Sequence, residues 1–155
     1  GEIIEMSPIN WLHRVGCRKT ADALERAFAG IAWIDRAEPI DLSHSEPQPD
    51  VSVFAGRFED YTAHPTTALL LVEVSDTTLN KDLTTKAEMY ATAGIPEYWV
   101  LDVTNRQLHV FREPVPLPVG LGATAYRKHR ILEPNDTIRP LAAPTATVSV
   151  AELLP

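Results

Sequence analysis

The chain has 155 residues, 45% hydrophobic and 23% charged, with a formal net charge of −7 and one cysteine. That length predicts one domain over 1–155 with a sizeable core. The single cysteine excludes a disulfide framework and predicts a reducing, cytoplasmic setting. No apolar run approaches the roughly 18 residues of a membrane helix, and the acidic balance counts against a sequence-blind electrostatic DNA binder.

Gly1-Glu2 carries neither the basic region nor the apolar core of a signal peptide. Glu2 to Met6 alternates like a short strand. Ser7-Pro8 then supplies an N-cap and a first-turn proline for a helix that runs to about Ala29 and stops at Gly30. His13, Cys17, Thr20, Leu24 and Phe28 share its inward face. Cys17 reads as a buried small hydrophobe. A nucleophilic Cys17–His13 pair would need a third, orienting group, and none is evident. Arg14, Arg18 and Lys19, like the later run Tyr126 to Arg130, are either solvated faces or phosphate contacts.

Strands are expected at Ile31 to Arg36, Glu38 to Leu42 and Val51 to Phe54, with a polar loop over Ser43 to Gln48. Asp50 follows Pro49 at the mouth of the third of these. Taken alone, it is a turn or capping aspartate. Arg57 to Thr67 is irregular, with a helical turn before His64-Pro65. Leu69 to Val74 is a nearly continuous apolar run, the pattern of a strand covered on both faces. Glu73 lies inside that run, where a carboxylate costs several kcal/mol unless it is paired, protonated or metal-bound.

A helix follows from Leu79 to Ala93, stopped by Gly94 and Pro96. Leu79, Leu83, Lys86 and Tyr90 form its inward stripe by their spacing of +4, +3, +4. Lys86 can snorkel from there or pair with Asp82 one turn earlier. Tyr98 to Leu101 and Leu108 to Phe111 read as a hairpin around Thr104 to Gln107. Glu113 to Gly122, rich in proline and glycine, is expected to be irregular. Ala125 to Leu132 and Thr137 to Pro140 read as strands, and Val148 to Leu154 as a helical turn. The aromatic pair Tyr98-Trp99 and the strands after it suggest an apolar surface beyond one domain's need, hence a homodimer.

Together, a proline-linked aspartate, a glutamate in a buried strand and an inward lysine on the next helix make a constellation for a hard divalent cation and phosphate. The residues Gly1 to Pro8 with His13, Pro39-Ile40, Pro49-Asp50, Leu71 to Ser75, Asp82 with Lys86, Tyr90-Ala91 and Gly94 to Asp102 resemble the Uma-two-type restriction-endonuclease family, within the PD-(D/E)XK nuclease superfamily. Its most specific stretch here is Gly94-Ile95-Pro96-Glu97-Tyr98-Trp99. The resemblance implies a restriction-endonuclease-like α/β fold, a mixed β-sheet with a long N-terminal helix and a crossover helix. It implies catalytic Asp50, Glu73 and Lys86, with Asp50, Glu73 and the Val74 carbonyl as ligands of Mg²⁺ or Mn²⁺. The lysine then stands on the helix, and Ser75 occupies its usual strand position. Glu2, His13, Asp82 and Ser75 are auxiliary. The expected partner is DNA, cut at phosphodiester bonds. A catalytically inactive nuclease fold that binds nucleic acid or a protein is the alternative. A two-carboxylate glycosidase leaves Lys86 without a role.

Overall fold

The computed structural model describes residues 8–117 and 124–155. The expected strand at Glu2 to Met6, and the N-cap Ser7, lie outside them. Helix α1 spans Pro8–Ala27 and is followed by strands β1 (Ala32–Arg36), β2 (Val51–Ala55) and β3 (Leu70–Ser75). Two short helices come next, α2 (Leu79–Leu83) and α3 (Thr85–Thr92). Strands β4 (Glu97–Asp102), β5 (Gln107–Pro116), β6 (Thr124–Leu132), β7 (Thr137–Ile138) and β8 (Val148–Ser149) complete the order.

Strands β1 to β6 form one sheet in sequence order. Every neighbouring pair is antiparallel except β3 and β4, which are parallel. A parallel pair cannot be closed by a hairpin, so α2 and α3 form the crossover. The fold is thus mixed α/β, with helices on both faces of the sheet. On one face Leu70, Val72, Val74, Trp99 and Leu101 pack against Cys17, Leu24 and Phe28 of α1. On the other, Leu71, Tyr98, Val100 and Phe54 meet Ala87 and Tyr90 of α3. Period-two alternation along β3 therefore sends Glu73 to the α3 side.

The crossover is not the continuous helix the spacing predicts. It breaks at Thr84, whose φ of −117° and ψ of −80° leave the helical region. Two contacts explain the break. The Thr84 hydroxyl donates back to the Asn80 carbonyl at 2.6 Å, a bond that bends helices. The Asp82 carbonyl, which a continuous helix would offer to the Lys86 N–H, accepts instead from the Tyr98 hydroxyl at 2.8 Å.

Four other expectations change. Glu38 to Leu42 is not a strand, because its N–H groups bond to loop carbonyls of Pro47, Pro65 and Ser45. β5 continues through Pro114 and Pro116, which pair with Tyr126 and Thr124 of β6. β4 pairs with β5 only as far as Arg112, so the prolines' missing donors face an open side. Tyr98 and Trp99 are fully buried within the chain and offer no surface to a second copy. The terminal helical turn is a 3₁₀ turn over Val150–Glu152, preceded by β8.

Candidate active site

The antiparallel register of β2 with β3 sets Val51 opposite Val72, so one step outward brings Asp50 opposite Glu73. The two residues interlock there. The Val74 N–H donates to Asp50 Oδ2 at 2.7 Å, and the Asp50 N–H donates to Glu73 Oε1 at 3.1 Å. Pro49 keeps this entry extended. Asp50 thus spans the end of the sheet, touching residues of both its faces.

On the α3 face, the Lys86 ammonium donates to Glu73 Oε2 at 2.7 Å, and the Tyr90 hydroxyl donates to the same oxygen at 3.1 Å. Lys86 also lies 3.3 Å from Asp82 Oδ1, an ion pair without hydrogen-bond geometry. Thr78 donates to the other Asp82 oxygen at 2.8 Å. Burial and the neighbouring Asp50 carboxylate push Glu73 up to about 7, against the pull of Lys86. Burial alone would lower Lys86, but its contacts with Glu73 and Asp82 outweigh it and raise the ammonium above its ordinary value. The attraction between lysine and glutamate is favourable. What keeps Glu73 partly protonated near neutrality is first its burial and second the carboxylate of Asp50 beside it.

On the α1 face, His13 Nε2 lies 3.3 Å from Asp50 Oδ1. The Asp50 and Cys17 contacts push His13 up to about 10, against burial, so it is an imidazolium at neutral pH. α1 approaches β3 closely because residue 16 is glycine: a Cβ there would lie 3.0 Å from Val74 Cγ1. Cys17 Sγ is 3.8 Å from both ring nitrogens of His13. Asp50 is therefore the orienting group that the sequence did not reveal. Even so, the buried sulfur lies equally far from both nitrogens, without the in-line contact a general base needs. A cavity of about 340 Å³, lined by His13, Arg14, Cys17, Arg36, Ala37 and Asp50, opens over this edge. A larger one of about 680 Å³, lined by Leu42, Met89, Phe111 and Tyr126 among others, lies away from the carboxylates and contains none of them.

The structure brings Asp50, Glu73, Lys86, Asp82 and His13 into one connected cluster. Val74 joins through its N–H. Ser75 is buried beyond Glu73 on the same face, and its hydroxyl has no hydrogen-bond partner among the described residues. Glu2 lies outside the described residues. Of the basic residues on α1, Lys19 donates to the Leu154 carbonyl and Arg18 lies 4.0 Å from Asp22, leaving Arg14 at the cavity. Sequence reasoning missed Arg36, which reaches the cavity because β1 pairs it with Val51, next to Asp50. The hydroxyl of Tyr90 was also missed as a donor to Glu73, although the helical stripe pointed it inward.

The donor set suits a hard divalent cation. Two carboxylates lie on adjacent strands, one raised by its burial and by the other, and a divalent charge would relieve both penalties. Asp50 and Glu73 would hold it.

The family model described as "Putative restriction endonuclease" (Uma2) matches residues 1–151. Among solved structures, the chain is similar to a "putative nuclease belonging to DUF820" from Anabaena variabilis ATCC 29413, with a TM-score of 0.67 and 15% identity. The match covers 98% of this chain and 83% of that one, and at such identity it shows the fold alone. No curated protein matches the sequence.

Proposed function

The chain belongs to the Uma2 family of restriction-endonuclease-like proteins, and on that premise we propose that it is a metal-dependent endonuclease hydrolysing DNA phosphodiester bonds. One observation carries this reading: Lys86 donates to Glu73 at 2.7 Å while Glu73 and Asp50 interlock across β2 and β3. Asp50, Glu73 and the Val74 carbonyl are the proposed ligands, with Mg²⁺ or Mn²⁺ as the cation. When bound, such a cation supplies Lewis-acid stabilisation of charge on the phosphate and lowers the pKa of water.

The chain's own residues do the rest. Lys86 turns its donors toward the Glu73 carboxylate, where they can orient a water or meet a non-bridging oxygen. Asp82, fixed by Thr78, holds that ammonium from behind. Tyr90 limits the swing of Glu73, and His13 holds Asp50. Arg14 and Arg36 line the adjacent cavity and are placed to contact phosphates. Action as a homodimer in the cytoplasm belongs to the same reading. A two-fold pair of sites suits cutting of both strands, and light scattering tests it.

Calorimetric Mn²⁺ titration beside plasmid nicking decides the assignment. Asp50→Ala and Glu73→Ala should lose metal binding and cleavage together. Full cleavage by Glu73→Ala would remove the nuclease reading. The alternative, an inactive fold that binds nucleic acid or a protein partner, draws on the engagement of both Glu73 oxygens within the protein. DNA binding without Mn²⁺ uptake would favour it.

A further inference from the structure

The His13–Cys17–Asp50 cluster has a chemistry that the carboxylate pair lacks. It offers one imidazole, one thiol and one carboxylate, all with ligand atoms within 4.8 Å of one another. Hard cations prefer oxygen alone, whereas a mixed N, S, O set suits Zn²⁺ and its borderline neighbours. We propose that these three residues form a binding site for a Zn²⁺-class cation, sharing Asp50 with the hard-cation pair.

The spacing fits. Zn–N and Zn–O bonds of about 2.0 Å and a Zn–S bond of about 2.3 Å, at tetrahedral angles, place the nitrogen roughly 3.3 Å from the oxygen and 3.5 Å from the sulfur. His13 Nε2 lies 3.3 Å from Asp50 Oδ1 and 3.8 Å from Cys17 Sγ. Binding requires the His13 ring to give up its Nε2 proton and turn that nitrogen between the other two donors. His13 and Cys17 stand four residues apart on one face of α1, so the helix itself fixes their separation. The cavity of about 340 Å³ gives an entry route and room for a fourth ligand. Its Arg14 and Arg36 side chains favour water or an anion there, such as a phosphate oxygen. Coordination releases the thiol proton of Cys17 and the ring proton of His13.

One consequence rests on the proposed nuclease reading. Because Asp50 cannot serve both cations fully, Zn²⁺ should inhibit Mn²⁺-dependent cleavage, and Cys17→Ala should relieve that inhibition while keeping the basal rate. The site itself is tested without cleavage. Purified chain stripped of metal is titrated with Co²⁺, and the near-ultraviolet thiolate-to-cobalt absorption is recorded. Wild type should show that band, saturating at one Co²⁺ per chain and bleached by Zn²⁺. Glu73→Ala should keep it, which separates this site from the carboxylate pair. Cys17→Ala should lose it with an unchanged circular dichroism spectrum. His13→Ala should weaken Co²⁺ binding about tenfold or more. No charge-transfer band with excess Co²⁺, or a His13→Ala variant that binds as wild type does, would overturn the proposal.

Discussion

Two buried glutamates stand on the two parallel strands, and they are held in opposite ways. Glu97, at the start of β4, accepts at its Oε2 from the Arg112 guanidinium at 2.7 and 2.8 Å and from the Trp99 indole N–H at 2.9 Å. Its Oε1 accepts the Leu141 N–H at 2.9 Å. Every partner is a donor, and no second carboxylate is among them. Glu73 in β3 has a lysine, a tyrosine and a backbone donor as well, but it also faces Asp50, and its carboxyl rises to about 7. Glu97 ties the C-terminal segment to the sheet. Glu73 is held in a charge state that a cation would settle. In the proposed reading, burial with a cationic partner alone serves structure at Glu97, while burial with a cation and a second carboxylate serves chemistry at Glu73.

The widest separation should come from neutralising each in turn. Glu73→Gln should lower Mn²⁺-dependent nicking by about 100-fold or more, a typical cost of losing one preorganised electrostatic partner. Glu97→Gln should leave nicking within a small factor while destabilising the fold by about 3 kcal/mol, since the half-buried Arg112 would lose its carboxylate. Denaturant melts beside plasmid assays measure both. Equal loss of activity in the two variants would erase the contrast.

The cationic partners sharpen it. Lys86→Ala should still bind Mn²⁺, because its ammonium repels a cation, yet turn over about 100-fold more slowly. Lys86→Arg should recover charge without position, since the planar fork presents its donors differently. If Lys86 only neutralised the two buried carboxylates, its removal would cost about 3–5 kcal/mol of stability and leave the nicking rate of the folded chain intact. Paired calorimetry and nicking on both variants separate these outcomes.

A third contrast is in pH. The folded-state pKa of Glu73, about 7, stands above the ordinary glutamate value of 4.5. Between these values the folded chain keeps a proton that the unfolded chain releases, so stability falls as pH rises through the window. Above 7 the full penalty applies, on the order of 3 kcal/mol. Glu73→Gln should therefore melt higher than wild type at pH 8 and equally at pH 4. Mn²⁺ affinity of the wild type should fall about tenfold for each pH unit below 7, because the cation competes with that proton. Thermal melts and calorimetry across pH test both signs.

How much of this was legible before folding depended on how local each signal is. Asp50, Glu73 and Lys86 announce themselves through short-range patterns: proline before a strand, a charge in an apolar run, a +3/+4 stripe. Most strand positions follow from the same periodicities, Glu38 to Leu42 being the exception. The break at Thr84 was hidden because it depends on Tyr98, sixteen residues from the carbonyl it captures. The passage of β5 through Pro114 and Pro116 was hidden because proline is excluded only where a neighbouring strand needs its N–H. The approach of Cys17 and His13 to Asp50 required α1 to settle on the sheet over Gly16. Nothing in the spacing of a helix states which strand it will cover.

The smallest expected effect belongs to Tyr90. Its hydroxyl gives Glu73 Oε2 one hydrogen bond at 3.1 Å, and its ring packs edge-on against Tyr98 at 4.9 Å between centroids. Tyr90→Phe keeps the ring and removes the donor. The loss in stability should be about 1 kcal/mol, the net worth of one such bond. A donor to the ionised carboxylate favours that form, so its removal should raise Glu73 further. The acid limb of Mn²⁺ binding should then move to higher pH, while binding well above pH 7 stays as in wild type. At Glu97 the corresponding donor is the Trp99 indole, backed by Arg112, with no second carboxylate among its contacts and no link to the proposed metal site. Trp99→Phe should therefore cost stability, through lost volume and a lost donor, without moving the pH dependence of metal binding. A Tyr90→Phe profile that overlays wild type at every pH would show that Lys86 and Asp50 alone set the state of Glu73.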